Sequence, residues 1–416
     1  MALSLARKLE ILADAAKYDA SCASSGGARR TARSGGLGST TGCGICHAYT
    51  PDGRCVSLLK VLLTNFCIYD CAYCVSRRSS NVARARFTVE EVVCLTLDLY
   101  RRNCVEGLFL SSGIARGEDE TMADIVRVAK TLRTEHSFRG YIHLKTIPGA
   151  SETLIAEAGL YADRLSMNVE LPNDASLKVY APEKSALRIK KGLAVTRAHI
   201  DHAVQSRQRG RGIIGRAKPP RFAPAGQSTQ MIVGADGASD LAILDASTSL
   251  YASYNLKRVY YSAFSPNGHP SAHLPQVPAP LMREHRLYQA DWLLRFYGFA
   301  LPDLDDAAPG GMLDLGIDPK LAWALKHRGD FPIDVNTAPR ERLLRVPGLG
   351  TQAVDRIVAS RRTGALRLDD IARVTGAIAR ARPFICALGW HPGRSLDDGQ
   401  LRRSLAPRPQ QLSMFG

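Results

Sequence analysis

The chain has 416 residues and a formal net charge of +16, from 55 Lys and Arg against 39 Asp and Glu. Its apolar share of 45% is ordinary for a globular protein, and no run approaches eighteen uncharged apolar residues, so the sequence offers no helical membrane span. The opening MALSLARKLEILADAAKYDA is amphipathic and carries acidic residues, unlike a secretion signal, so a cytoplasmic protein with reduced cysteines is expected.

Residues 1–56 divide into a helix to about residue 20 and a Gly-, Ser- and Thr-rich segment, expected to be irregular chain or a metal-bound loop. From Ser57 a βα alternation begins. SLLKVLLTN is a continuous apolar strand, TVEEVVCLTLDLYRR a helix, and GLFLSSG a short strand. TMADIVRVAKTLRTEH is a helix and YIHLKT a strand; SETLIAEAG is a helix with a Ser cap and a Gly stop, followed by the strand RLSMNVEL. After a basic insertion at 184–228 come the strand STQMIVG, a helix over SDLAILDASTSLYASYN, and the strand RVYYSAF. Six strands alternating with helices over 57–270 predict an α/β fold, a partial parallel (β/α)6 barrel. Residues 271–330 hold a Pro-rich crossing and an amphipathic helix, MREHRLYQADWLLRFYGF. Its aromatics Tyr288, Trp292, Phe296 and Tyr297 fall at helical spacing and read as core, with base stacking as the alternative. Short helices follow over 331–390 as an all-α domain, and 391–416 reads as a flexible tail.

The stretch CIYDCAYC places Cys67, Cys71 and Cys74 at spacing three then two, directly after the first barrel strand. Three thiolates fall one short of a structural zinc site but can hold three irons of a four-iron cluster, leaving one iron open. This C-x3-C-x2-C motif, with Tyr73 before its last cysteine, resembles that of the radical SAM superfamily. The resemblance implies a [4Fe-4S] cluster on Cys67, Cys71 and Cys74 and S-adenosylmethionine chelated by the open iron. It implies reductive cleavage to a 5′-deoxyadenosyl radical, with electrons from a donor such as flavodoxin or ferredoxin. It also implies SAM contacts from Tyr73, from Ser111, Ser112 and Gly113 as backbone, from Asn168 and Glu170 at the end of the fourth strand, and from Val233 and Gly234 on the fifth. Lys145 is a candidate partner for the SAM carboxylate. The Glu that the superfamily carries after the second strand, and again after the fifth, is absent from both places. Tyr260, Tyr261 and Cys55 are weak candidates for a second hydrogen donor.

GCGICHAYTPDGRC, with Cys22 upstream, gives a candidate second metal site on Cys22, Cys43, Cys46 and Cys55, or simply a Gly-rich loop bearing thiols. Cys94, Cys104 and Cys386 fall in predicted helices or at their ends and are expected to be buried.

Charge is concentrated. Between Lys184 and Arg221 there are 11 Lys and Arg against one acid, Asp201, and from Phe331 onward 14 against 7. Two basic regions favour a polyanion, above all nucleic acid. LLRVPGLGTQAVDRIVASRR resembles the helix-hairpin-helix motif. Gly348 and Gly350 are expected at positive φ, the amides at Thr351 to grip a phosphate, and Arg345, Arg356, Arg361 and Arg362 to add charge. FTVEEVV, EGLFLSSGI, YIHLKTIPGASE, APEKS and the amphipathic helix resemble a radical SAM family associated with DNA modification or repair. The expectation is therefore a radical SAM enzyme acting on nucleic acid, DNA before RNA. The alternative is a DNA-binding protein with a structural cluster, which would need a fourth ligand such as Cys55.

Overall fold

The computed structural model describes residues 3–17, 44–49, 55–209, 220–266, 274–393 and 398–406. It divides into two units, Met1–Gly237 with Ala246–Ala279, and Ala238–Asp245 with Pro280–Gly416.

In the first unit, helix α1 (Leu5–Ala16) precedes seven strands: β1 (Ile45–Tyr49), β2 (Cys55–Leu62), β3 (Gly107–Ser111), β4 (Tyr141–Lys145), β5 (Arg164–Ser166), β6 (Gln227–Val233) and β7 (Arg258–Ala263). They form one sheet in sequence order. β2 to β7 are parallel throughout, as right-handed crossovers through intervening helices produce. The six expected strands are present, and the α/β assignment holds. The difference is β1, which pairs antiparallel with β2 from Ile45↔Leu59 to Tyr49↔Cys55. The Gly-rich segment is thus partly a strand.

The crossovers are α2 (Val89–Arg101), α3 (Glu118–Thr134), α4 (Glu152–Tyr161), then α5 (Asp174–Tyr180) with α6 (Ala186–Arg209), and α7 (Asp240–Tyr254). α2 starts at a reciprocal capping box: Glu91 N–H donates to Thr88 Oγ1 at 3.2 Å, and Thr88 N–H donates to the Glu91 carboxylate at 2.8 Å. α4 begins after Ser151 as expected, although that side chain makes no cap bond. It also runs through Gly159 rather than stopping there. The glycine is needed for space: a Cβ at Gly159 would lie 2.1 Å from the Phe222 ring.

The second unit contains α8 (Leu281–Phe296), α9 (Leu301–Asp305), α10 (Pro319–Lys326), α11 (Arg340–Leu344), α12 (Thr351–Ser360), α13 (Leu368–Val374), α14 (Ile378–Ala381) and α15 (Asp398–Leu405). A short parallel ladder joins β8 (Ile333–Asp334) to β9 (Ile385–Cys386). Leu343, Val346, Val354, Ile357, Ile371 and Phe384 are fully buried and form its core. α15 lies in the expected flexible tail. It is helical because Leu401 finds a buried place and Arg402 pairs with Asp314. Among the described residues, no helix is long and apolar enough to cross a membrane.

Candidate active site

The loop after β2 carries the three cysteines to the C-terminal ends of the parallel strands, where α/β barrels place their chemistry. Cys67, Cys71 and Cys74 line one pocket together with Leu62 of β2, Lys145 of β4, Gln230 and Ile232 of β6, and Ser262 and Ala263 of β7. Strands β2 and β7 stand at opposite ends of the parallel array, so one pocket touches both only because the sheet curls into a partial barrel.

The loop is held from several sides. Ile68 N–H donates to Ile114 O at 2.7 Å, and Gly113 N–H to Thr64 O at 2.7 Å. Gly113 permits this approach, since a Cβ there would lie 2.4 Å from Phe66 O. Ala72 N–H donates to Tyr180 O at 2.7 Å, and Asp70 N–H to the Glu183 carboxylate at 3.0 Å. Arg84 ties the loop to itself by donating to the carbonyls of Asn65, Ser76, Arg77 and Ser80. Nothing in the spacing of the sequence marks Arg84, because its partners are backbone oxygens.

Burial pushes the Cys71 thiol up to about 11, with Lys184 pulling it down and Glu170 and Cys67 raising it further. Burial, then Cys71, push Cys74 up to about 12. Buried as they are, Cys71 and Cys74 are poor thiolates on their own, and a nearby cationic centre such as a metal cluster favours their ionised form. Among the described residues, no three His, Cys, Asp or Glu side chains are drawn together around a single metal ion. Cys67, Cys71 and Cys74 do line one pocket, and three thiols can each hold one iron of a polynuclear cluster.

The same pocket is lined by a buried ion pair. Lys184 Nζ donates to Glu170 Oε1 at 2.6 Å. Burial opposes the ammonium form, but Glu170 and the neighbouring Tyr73 and Cys71 hold Lys184 well above its ordinary value. Lys184 also lies 5.7 Å from the Tyr73 ring centroid. Asn168 Nδ2 donates to Glu170 Oε2 at 3.4 Å and to Gln230 Oε1 at 3.2 Å. Glu170 sits at φ +67 and is pinned to β6 by Glu170 N–H to Gln230 O at 3.0 Å and Ile232 N–H to Glu170 O at 2.7 Å. Lys184, first residue of the basic insertion, was not singled out as a site residue by the sequence; its pairing crosses a helix and a turn.

The remaining expected SAM contacts divide. Tyr73, Ser112, Gly113, Asn168, Glu170 and Lys145 line the pocket. Ser111, Val233 and Gly234 are not among its lining residues. Strand alternation explains β6: Gln230 and Ile232 face the pocket, so the fully buried Val233 points to the other side. Tyr260, Tyr261 and Cys55 are also outside the lining. Tyr261 O–H donates to Ser247 Oγ at 2.9 Å, Arg164 donates to Tyr260 Oη at 3.4 Å, and Cys55 is exposed at the start of β2.

Of the candidate second metal site, Cys22 and Cys43 lie outside the described residues. Cys46 packs in the core with Val56, Leu58, Phe109, Tyr141 and Ala225, while Cys55 is exposed, so these two do not converge. Cys94 and Cys104 are exposed and Cys386 half-buried, contrary to expectation. Cys94 lies on the solvent side of α2, and Cys104 in the turn between α2 and β3.

In the second unit the hairpin joins α11 to α12. Gly348 has φ +83, and a Cβ there would lie 2.7 Å from Ala377 O. Gly350 differs from expectation: it caps α12 at φ −85, extended backbone that any residue adopts, and Thr351 begins the helix. Arg345 is occupied structurally. Its guanidinium lies 4.2 Å from the Phe299 ring centroid and 4.7 Å from that of Trp323, and pairs with Asp303 at 2.9 Å. Arg361 donates to Val335 O at 3.1 Å and Ala338 O at 2.6 Å. Arg356 and Arg362 are exposed.

The chain resembles three kinds of solved structure at low identity. FeFe-hydrogenase maturase HydG from Carboxydothermus hydrogenoformans is 16% identical, with TM-score 0.40, over 56% of this chain and 50% of that one. Methylornithine synthase is 14% identical, with TM-score 0.41, over 56% and 60%. The radical S-adenosylmethionine methyltransferase TsrM from Kitasatospora setae, with cobalamin and a [4Fe-4S] cluster bound, is 10% identical, with TM-score 0.36, over 73% and 60%. The chain thus spans half to three fifths of these structures' lengths. No family model and no curated protein matches it.

Proposed function

We propose that this protein is a radical SAM enzyme that modifies or repairs nucleic acid, with DNA as the first choice of substrate. The carrying observation is that Cys67, Cys71 and Cys74 line a single pocket at the C-terminal ends of the parallel strands, which the Lys184–Glu170 pair also lines. The three thiols would hold a [4Fe-4S] cluster. When bound, the cluster and S-adenosylmethionine together supply one-electron cleavage of the sulfonium and a hydrogen-abstracting radical.

The chain's own residues do the rest. Gly113 lets the turn after β3 lie against the cysteine loop, fixing where the first thiol stands. Asn168 and Glu170 present amide and carboxylate oxygens to a ligand's hydroxyl or ammonium groups, and Lys145 presents an ammonium to a carboxylate. Lys184 anchors the Glu170 carboxylate within the wall by a 2.6 Å ion pair. The apolar side chains of Leu62, Ile114, Ile147, Ile232 and Phe264 keep water from the pocket.

Nucleic acid is supported by the two basic regions, by the hairpin turn with Gly348 at positive φ, and by exposed Arg356 and Arg362. A target inside a duplex would have to be flipped or single-stranded to reach the pocket. A flavodoxin- or ferredoxin-type donor would supply the electron, and the cytoplasm is the compartment in which such a cluster is maintained.

The test is anaerobic reconstitution with iron and sulfide, then reduction in the presence of SAM and a panel of single-stranded DNA, duplex DNA and tRNA. 5′-Deoxyadenosine release and a mass-shifted nucleoside are expected. Colourless protein that takes up zinc in place of iron would overturn the assignment. Adenosyl cleavage with no nucleoside change across the panel would overturn only the choice of substrate.

A further inference from the structure

Helix α8 divides its residues between two faces. One buries Arg283, Leu287, Tyr288, Ala290, Asp291 and Leu293. The other exposes Leu281, His285, Gln289, Trp292 and Phe296, spaced four, four, three and four apart, so they form one solvent-facing stripe. The helical spacing of the aromatics predicts core, and for Tyr288 that holds, at 8% exposed. Trp292 and Phe296 are 48% and 45% exposed. Their ring centroids lie 5.1 Å apart, and the Arg295 guanidinium sits 4.8 Å from the centre of the Phe296 ring.

This aromatic pair lies beside the hairpin. Tyr297, the residue after Phe296, has its hydroxyl 3.7 Å from where a Cβ on Gly350 would stand. Arg345 of the hairpin donates to Gly298 O at 3.2 Å. Phe296 thus precedes in sequence two residues that touch the hairpin, and it lies in the same unit as exposed Arg356 and Arg362.

We infer that Trp292 and Phe296 form a stacking platform for two unpaired bases of a single strand whose backbone follows the hairpin. The inference rests on the nucleic-acid reading above and narrows it to single-stranded substrate. The rings, 5.1 Å apart at their centroids, are tilted 57° to one another, so the two exposed side chains turn different faces to solvent, one for each base. Base–aromatic stacking accepts any base, because every base has a π-face. A duplex interior shows these rings only base edges, so the surface distinguishes unpaired from paired strands. A docked protein helix fits less well. The stripe is interrupted by His285 and Gln289, and Gln289 is already hydrogen-bonded by Arg286 at 2.8 Å. A helix-binding groove presents continuous apolar anchors instead.

The experiment measures fluorescence anisotropy of dye-labelled oligonucleotides with the full chain, over a salt series. It compares a single strand with a duplex closed at both ends by loops. The variants are W292A/F296A and the conservative W292F/F296Y, each checked by near-ultraviolet circular dichroism. The double alanine variant is expected to weaken single-strand binding at least about tenfold, leave duplex binding within about twofold, and leave the salt slope unchanged, because stacking releases no counterions. W292F/F296Y restores single-strand affinity. Equal weakening for both ligands, no weakening, or loss of self-association in place of oligonucleotide binding would overturn the platform while leaving the nucleic-acid reading intact. Wild-type protein that binds neither oligonucleotide would overturn both.

Discussion

Lys184 Nζ and Glu170 Oε1 are 2.6 Å apart in the wall of the cysteine pocket, with the two side chains only 13% and 9% exposed. Removing one partner leaves a buried charge without compensation, so K184M is expected to destabilise the first unit by about 3 kcal/mol or more. The double variant K184M/E170Q is expected to recover most of that loss. Thermal melts of the four proteins in a double-mutant cycle check it, and additive losses would show that the pair is not coupled.

The thiols give the sharpest contrast. Alanine at Cys67, Cys71 or Cys74 is expected to abolish iron retention and SAM cleavage, whereas C55S leaves both unchanged. Iron content and 5′-deoxyadenosine yield are the readouts. Loss of iron in C55S would favour a four-ligand structural cluster instead.

Gly113 tests the placement of the loop rather than its ligands. In G113A the new methyl meets Phe66 O, the carbonyl just before Cys67, at a distance no Cβ tolerates. The backbone must move, at a cost of about 1–3 kcal/mol. Iron occupancy is expected to fall more than the melting temperature does, as measured on the same preparation.

Lys320 in the second unit donates to Leu349 O at 2.6 Å, and burial pulls it down to about 7, with Asp318 raising it and Arg380 lowering it further. An unfolded lysine titrates near 10.4, so between about pH 7 and 10 the unfolded chain holds one more proton at this position. Stability therefore rises with pH across that window. The melting temperature of the wild type relative to K320M is expected to increase from pH 7 to pH 9.5; a constant difference would show that Lys320 stays charged in the fold.

Elements that carry their own signal were legible in the sequence: six apolar runs became β2 to β7, and the cysteine spacing marked the loop. β1 was hidden because Cys46 and His47 look like ligands, while the fold uses Cys46 as a core side chain against Leu58 and Phe109. Arg84 was invisible because it acts on carbonyls, which every residue has. Periodicity showed that Tyr288 and Trp292 belong to a helix, but not which side meets a partner. Arg345 looked like a phosphate contact until Phe299, Trp323 and Asp303 were brought around it from distant parts of the chain.

Residue 170 is a long acidic side chain mounted on a left-handed backbone, a posture that costs of order 1 kcal/mol and that glycine adopts freely. Relief of that strain alone would favour glycine, but the buried ammonium of Lys184 holds the carboxylate in place. In a saturation library built on K184M the structural demand is lifted, so there the ranking by cellular abundance and the ranking by turnover should diverge, which makes position 170 a gauge for separating what the scaffold needs from what its chemistry demands.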